Sequence, residues 1–480
     1  MPLAISRLGW RVLYNALLLP LLRLAVRLLA WAPTRRGAKL RATLAGRRGV
    51  FARLEAALAG RDPLRPLLWF HVSSAGEFLQ ALPVLERLAA DCGLPGAQPG
   101  AQIVLTVTSV SGQRWVERLR TGTPGGAGLP GLLALDYLPL DTRGRMRRLL
   151  RLLRPAALLY TKYDLWPNLV WEAARAGVPQ YLLAATLQPR SWRVRSAPAR
   201  SLYRTLYAAL DGIFAVTEAD AARFLRTAPG HPGVTVLGDT RFDSVLERRA
   251  RIAPPPLPPY DDGGTGAPAG GPAGTVLVVG SSWPADEQRI VPGLLEALAR
   301  HADLRLLLVP HETDAAHLAA LEAAFAGYAP QRFTRLALRE PGAPPWRVLL
   351  VDTVGQLSAL YAHAALAYVG GAFSTGVHNV MEPAAMGVPT LFGPLHQNAP
   401  EAVHLVSAGL AFSVADGDAF RRVLEGLLAD PPRRAALGAG ARAWVESQAG
   451  AAERSCARIR AALAARAAAA GSRGAEWPRS

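Results

Sequence analysis

At 480 residues, half of them apolar, the chain is long enough for two ordinary domains, and its two cysteines, Cys92 and Cys456, lack the spacing of a disulfide or zinc scaffold. Net charge is +18, and the basic residues are almost all arginine, with lysine only at Lys39 and Lys162. Such charge favours polyanions, but no basic helix with base-reading spacing, zinc finger or aromatic RNA platform accompanies it; nucleic acid is set aside in favour of anionic lipid or a phosphorylated substrate.

The first element is an apolar helix over residues 8–31, broken by Arg11, Pro20, Arg23 and Arg27. Its longest uncharged stretch, 12–22, is about half the ~20 residues a spanning helix needs. Trp10, Tyr14 and Trp31 are residue types that favour a membrane interface, and Arg35, Arg36, Lys39, Arg41, Arg47 and Arg48 follow. Apolar helix and basic cluster together predict a monotopic anchor on an anionic cytoplasmic leaflet. The alternative is an ordinary packed helix.

The body alternates strands with helices, twice. Short apolar runs at 67–74, 102–109, 132–138, 157–162, 180–186 and 212–216 read as buried parallel strands, with helices such as 78–90 and 166–176 between them. A Pro/Gly/Ala/Asp-rich stretch at 252–274 has linker composition. The pattern restarts with strands at 275–280, 304–309, 348–351, 366–369 and 390–392 and helices at 291–301 and 315–325. The expected organisation is an anchor (1–35), a Rossmann-like domain (36–250), a linker (251–274), a second Rossmann-like domain (275–445) and a C-terminal helix with a frayed tail (446–480). Two doubly wound α/β units predict a ligand cleft between them.

In the first half, the strand at 67–74 leads into Ser73-Ser74-Ala75-Gly76-Glu77 and a helix. Glu77 therefore falls at the carboxyl end of a parallel strand and is the general-base candidate; the alternative is a first-turn Glu that only stabilises the helix dipole. His71 reads as a core histidine. After the strand at 157–162 come Lys162, Asp164 and Trp166-Pro167-Asn168. Lys162 is notable because lysine is so rare here, and a compact ammonium differs from an arginine fork. Asp164 can pair with Lys162 or cap the next helix. Arg241, within Gly238-Asp239-Thr240-Arg241-Phe242-Asp243, is a candidate for an anionic sugar.

In the second half, Ser281 and Ser282 end the first strand and suit a phosphate, and His311 ends the next. The richest segment is 366–398: a strand runs into Gly370-Gly371, a loop follows, and a helix is expected to start at His378-Asn379. A glycine loop before a helix N-terminus suits an anion, and Glu382 can accept two ribose hydroxyls. The alternative reading of Asn379 and Glu382 is a capping box. Together these features read as the nucleotide end of a sugar-nucleotide glycosyltransferase.

In order along the chain, His71-Val-Ser-Ser-Ala-Gly-Glu77, Leu165-Trp-Pro-Asn168, Gly238–Asp243, Gly280-Ser-Ser-Trp-Pro284, Val369-Gly-Gly371, His378-Asn-Val-Met-Glu-Pro383 and Gly393-Pro394 with Asn398 resemble the bacterial 3-deoxy-D-manno-octulosonic acid (Kdo) transferases. The resemblance covers nearly the whole chain. It implies a GT-B fold with two Rossmann-like domains facing a cleft, anchorage at the cytoplasmic face of the inner membrane, and inverting transfer of Kdo from CMP-Kdo to the lipid A precursor without a catalytic metal or other cofactor. Carried across, Glu77 matches the base, Asn379 and Glu382 match CMP-holding residues, and Ser74 and Gly76 shape the acceptor-side loop. Lys162, Asp164 and Glu312 depart from the family pattern. Ser281 and Gly370–Gly371 are expected to hold the phosphate; Arg241 and Lys162, the Kdo carboxylate or lipid phosphate. The rivals are a GT-B transferase using a UDP-sugar and a non-catalytic membrane-surface binding protein.

Overall fold

The computed structural model describes residues 3–93, 100–109, 128–255, 257, 274–338 and 346–471, and most of the expected linker lies outside them. The chain divides into two units: residues 1–244 with 449–480, and residues 245–448.

Unit 1 is built on seven strands: β1 (Leu67–Val72), β2 (Gln102–Val107), β3 (Leu132–Tyr137), β4 (Ala157–Thr161), β5 (Gln180–Ala185), β6 (Gly212–Ala215) and β7 (Val234–Val236). They pair in parallel in the order β3-β2-β1-β4-β5-β6-β7. Strands β1, β2, β4 and β5 are buried at every position, the reason their sequences are continuous apolar runs without alternation. Chain order reverses between β1 and β4, so loops leaving their carboxyl ends flank a topological switch point, where open α/β sheets bind ligands. The 73–77 turn leaves β1 and the 162–168 segment leaves β4.

Unit 2 repeats the plan with β8 (Val276–Ser282), β9 (Arg305–Pro310), β10 (Gln331–Arg332), β11 (Val348–Leu350), β12 (Leu366–Val369), β13 (Thr390–Phe392) and β14 (Ala411–Ser413), all parallel, in the order β10-β11-β9-β8-β12-β13-β14. Its switch point lies between β8 and β12, whose carboxyl ends carry Ser281–Trp283 and Gly370–Gly371. The strands absent from the sequence reading, β7, β10 and β14, have two or three residues each; such runs carry no periodic signal.

The N-terminal helix is longer than its charges suggest. Helical turns run from Leu3 to Trp31, with a π-helical turn at Tyr14–Leu18. Residues Ser6–Trp31 are long and apolar enough to cross a membrane, because the arginines are widely spaced. The helix is nevertheless held against unit 1 along one polar face. Trp10 Nε1 donates to Ser201 Oγ (2.9 Å), Tyr14 Oη to Asp141 Oδ2 (2.9 Å), and Asn15 Nδ2 to Asn168 Oδ1 (3.0 Å). The wide turn brings Tyr14 and Leu19, five residues apart, to the same buried side. Trp10 and Tyr14 are therefore docking residues and not interface anchors as expected, because their polar tips find partners in the protein. The opposite face, with Leu8, Val12, Leu17, Leu21, Leu24 and Leu28, is exposed, as is Trp31.

Two of the motifs turn out to be scaffold. In Trp166-Pro167-Asn168, the Asn168 side chain donates to Asp141 O (2.6 Å), and Asp141 accepts from the backbone of Asn168 and Leu169, starting the helix Pro167–Arg175. In Gly238–Asp243, Asp243 accepts from Gly450 N (2.8 Å) and Ala452 N (3.2 Å), starting the C-terminal helix Ala451–Gly471. That helix buries Cys456, Ile459 and Leu463 in the unit 1 core and runs on to Gly471.

Candidate functional site

In unit 1 the helix Ala75–Ala90 starts on Ser74, whose Oγ accepts from Glu77 N (3.3 Å). Ser74 is thus a helix cap as well as a loop residue. Glu77, three residues on, turns back: Oε2 accepts from Ser73 N (2.6 Å) and Ser73 Oγ (2.5 Å). The side chain is largely buried at 5% exposure, yet Oε1 carries no hydrogen bond among the described residues and is not sealed from solvent. Burial raises the carboxyl pKa above its ordinary value; the two Ser73 donors pull it back, the Asp164 charge adds to the rise, and His71 opposes it. A first-turn carboxylate serving only the helix dipole would face water. This one is desolvated, oriented through one oxygen and open at the other, the arrangement a general base requires. Gly76 is exposed with room for a Cβ, so the fold itself has no steric need for glycine there.

Asp164 and His71 complete this corner. His71 Nε2 and Asp164 Oδ2 lie 3.2 Å apart without hydrogen-bond alignment, and His71 Nδ1 is 2.9 Å from Thr106 Oγ1, which also accepts from Trp69 Nε1 (2.8 Å). Among the described residues, Asp164 therefore neither caps the next helix nor pairs with Lys162. Lys162 is held at φ 65°, in the left-handed region that costs a non-glycine residue ~1 kcal/mol. Arg241 is not an unencumbered cation: its backbone N–H and Nε both bond Asp239 (2.9 and 2.8 Å). Replacing Ser73 by Ala should raise the Glu77 pKa further, because a donor to the ionised form is lost. The acidic limb of the pH–rate profile should move to higher pH, and an unmoved limb would show that Glu77 does not set it.

In unit 2 the organising residue is one to which the sequence reading assigned no role. Asp286 is fully buried at the start of the helix Pro284–Arg300. Its Oδ2 accepts from Trp283 N (3.0 Å) and Gly371 N (2.8 Å), and its Oδ1 from Tyr368 Oη (3.0 Å) and Phe373 N (3.4 Å). It ties the loop after β12 to the loop after β8. The signal available was Trp-Pro-Ala-Asp, an acid in a helical first turn, which looks the same whether it serves a cap or a distant loop.

Asp286 also changes how the glycine loop is read. Gly370 N donates to Gly280 O and Gly371 N to Asp286, while Ser374, Thr375 and Gly376 N–H groups all bond Gly371 O (2.9–3.0 Å). These donors are committed to the protein, so the expected phosphate cradle of Gly370–Gly371 N–H groups is absent. The glycines serve close packing instead: a Cβ on Gly370 would strike the Ser281 carbonyl, and one on Gly371, which sits at φ 93°, the Gly376 carbonyl. Ser282 is likewise corrected. It is buried and its hydroxyl donates to Glu287 Oε1 (2.7 Å), leaving no hydroxyl for a ligand. Ser281 is half-buried and strained at φ 54°.

The expected helix at His378-Asn379 begins instead at Met381 and spans only Met381–Met386. Asn379 Oδ1 accepts from Met381 N (3.0 Å), a two-residue turn, so no capping box joins Asn379 to Glu382. Glu382 Oε1 pairs with Arg248 Nη1 (3.0 Å), and Asn379 is exposed. His311 lies flat on both Trp283 (4.4 Å between centroids) and His378 (4.6 Å). Trp283 Nε1 donates to His378 Nε2 (2.8 Å). An indole nitrogen only donates, so His378 is neutral with its proton on Nδ1; burial and the His311 charge lower its pKa in agreement. The switch point of unit 2 therefore presents an aromatic platform of three rings, with Glu382 and Asn379 on the loop and short helix after β12. Among the described residues no His, Cys, Asp or Glu group is arranged to hold a metal ion.

Two all-parallel seven-stranded units, each with its polar loops at a switch point, define the GT-B class of α/β sugar-nucleotide enzymes. Solved structures agree at the level of fold: a UDP-N-acetylglucosamine 2-epimerase from Listeria monocytogenes (TM-score 0.54, 13% identity, 83% of this chain and 97% of that one) and another from Neisseria meningitidis (0.52, 13%, 78% and 94%). A family profile described as 3-Deoxy-D-manno-octulosonic-acid transferase (kdotransferase) matches residues 44–244. The 3-deoxy-D-manno-octulosonic acid transferase of Bordetella pertussis is 33% identical over 399 residues, 82% of this chain and 86% of the relative. That of Haemophilus influenzae is 25% identical over 435 residues, 89% and 93%. The chain belongs to the 3-deoxy-D-manno-octulosonic acid transferase family and is a glycosyltransferase.

Proposed function

We propose that the protein transfers Kdo from CMP-Kdo to a hydroxyl of the lipid A precursor by direct, inverting displacement. The observation that carries the mechanism is Glu77: a desolvated carboxylate with one oxygen fixed by Ser73 and the other open, at the switch point of unit 1. Glu77 Oε1 takes the proton of the acceptor hydroxyl as that oxygen bonds the anomeric carbon and the bond to CMP breaks. Asp164 and His71 tune the base through charge. Glu382 receives the ribose hydroxyls, and His311 with Asn379 receives the base or phosphate. Lys162 and Arg241 remain the proposed partners of the Kdo carboxylate or the acceptor phosphate, Arg241 in concert with Asp239.

We further propose that the N-terminal helix lies on the cytoplasmic surface of the inner membrane. Its polar face is spent on unit 1 and its leucine face is open, which suits a helix lying in the interface plane better than one leaving the protein to cross.

Thermal unfolding with CMP, UMP and UDP tests the donor: CMP should raise the midpoint most, and selective stabilisation by UDP would reject the reading in favour of a UDP-sugar enzyme. Mass spectrometry of the product from CMP-Kdo and tetra-acylated acceptor tests the reaction. Absence of any Kdo adduct would leave a non-catalytic binding protein.

A further inference from the structure

Glu172, on the helix Pro167–Arg175, is 2% exposed and is surrounded by arginines from three elements. Arg11 of the N-terminal helix reaches Oε1 at 3.0 Å, and Arg143 reaches the same oxygen at 3.2 Å. Arg147 reaches Oε2 at 2.7 Å and Arg175 approaches it at 3.9 Å. Arg7 is a fifth cation in the cluster, one turn before Arg11; burial and the Arg11 charge both work against its charged form. One carboxylate cannot neutralise five guanidinium groups, and Asp141 is spent on Tyr14 and on the backbone of Asn168 and Leu169. Moreover, Arg147 Nη2 and Arg7 Nε are buried with no acceptor among the described residues. Buried N–H groups of charged side chains left unpaired are costly, and an anion with several oxygens would relieve both deficits. The residues beside Arg7 and Arg11 on the same helix, Leu8 and Val12, are 65% and 61% exposed.

Cationic donors lacking acceptors and an open apolar strip on one helix match the two ends of a phospholipid. We propose that the Arg7–Arg11–Arg143–Arg147–Arg175 cluster is a phosphate site that receives the headgroup of an anionic membrane lipid, its acyl chains running along Leu8 and Val12. The inference rests on the membrane-surface reading for the source of the phosphate, and on the cluster alone for the phosphate itself. The lipid phosphate takes hydrogen bonds from the arginines while Glu172 continues to orient them.

The test is flotation of the full chain with vesicles of phosphatidylcholine alone or mixed with phosphatidylglycerol. Wild type should partition to both, more strongly to the anionic vesicles. The double variant Arg143→Gln/Arg175→Gln, which leaves Arg11 and Arg147 on Glu172, should lose about tenfold of the phosphatidylglycerol-dependent partition and keep binding to neutral vesicles. Arg300→Gln/Arg433→Gln, an equal charge loss on exposed residues of unit 2, should change it less than about twofold. Equal losses in the two double variants, or no loss in the first, would overturn the site in favour of diffuse charge. Wild type that floats with neither vesicle would overturn the membrane reading itself. Inorganic phosphate is the third arm: should it stabilise wild type against heat as strongly as anionic vesicles do, the lipid assignment fails and a free-phosphate site replaces it. Arg175→Gln alone, which removes the longest contact to Glu172, gives the same comparison if the double variant does not fold.

Discussion

Replacing Glu77 by Gln should lower the rate of Kdo transfer by roughly 10²–10⁴-fold, the range expected when a general base is removed. The variant should fold. Gln offers a carbonyl oxygen to the two Ser73 donors that now bond Oε2, so the local hydrogen bonds persist. Stability should hold or rise at neutral pH. Burial raises the Glu77 pKa in the folded state, so the fold favours its protonated form. Its contribution to stability is full below the unfolded carboxyl pKa, about 4.3, and is lost as pH climbs through the higher folded value. The ionised side chain at pH 7 is thus a cost that Gln removes. In wild type, transfer should fall as pH drops through a pKa above the usual carboxylate range. Activity within a few fold of wild type in a folded Glu77→Gln protein would show that another group takes the proton.

Asp286→Ala should be the most damaging substitution in unit 2. The carboxylate accepts from three backbone N–H groups and one buried tyrosine hydroxyl, and alanine leaves them without an acceptor. Stranding a buried network costs ~3–5 kcal/mol, which for a unit of this size lowers the unfolding midpoint by about 10 °C. The glycine loop and the Trp283–His378 hydrogen bond are set by the same anchor, so CMP affinity should fall with stability. Asp286→Asn keeps one acceptor oxygen and should lie between alanine and wild type in both measurements. A midpoint for Asp286→Ala within a degree or two of wild type would mean that the loop holds its shape without this carboxylate.

Sequence and structure divide the information unevenly, and particular residues show why. Strands β12 and β13 match the expected bounds, since an apolar run between turn signals is a local property. Glu77 at the end of β1 follows from strand, small-residue turn and helix in immediate succession, and family membership is carried by the ordered motifs. What the sequence hid were contacts between residues far apart in the chain. Gly371 looked like a phosphate donor until its N–H was found on Asp286, 85 positions away. Asn379 and Glu382 had the spacing of a capping box, but the helix starts two residues late and Glu382 turns to Arg248. Tyr14 had the composition of a membrane anchor and instead bonds Asp141.

By itself, then, the amino-acid order determined the repeated strand–helix pattern, the apolar start, the candidate base and the family, because each is written in periodicity or in contiguous residues. Only the tertiary structure decided which donors were already satisfied, which face of the first helix stayed open, and which carboxylate held the glycine loop. Hydrogen-bond partners and burial depend on which segments the sheet topology brings side by side, and neither spacing nor composition encodes that.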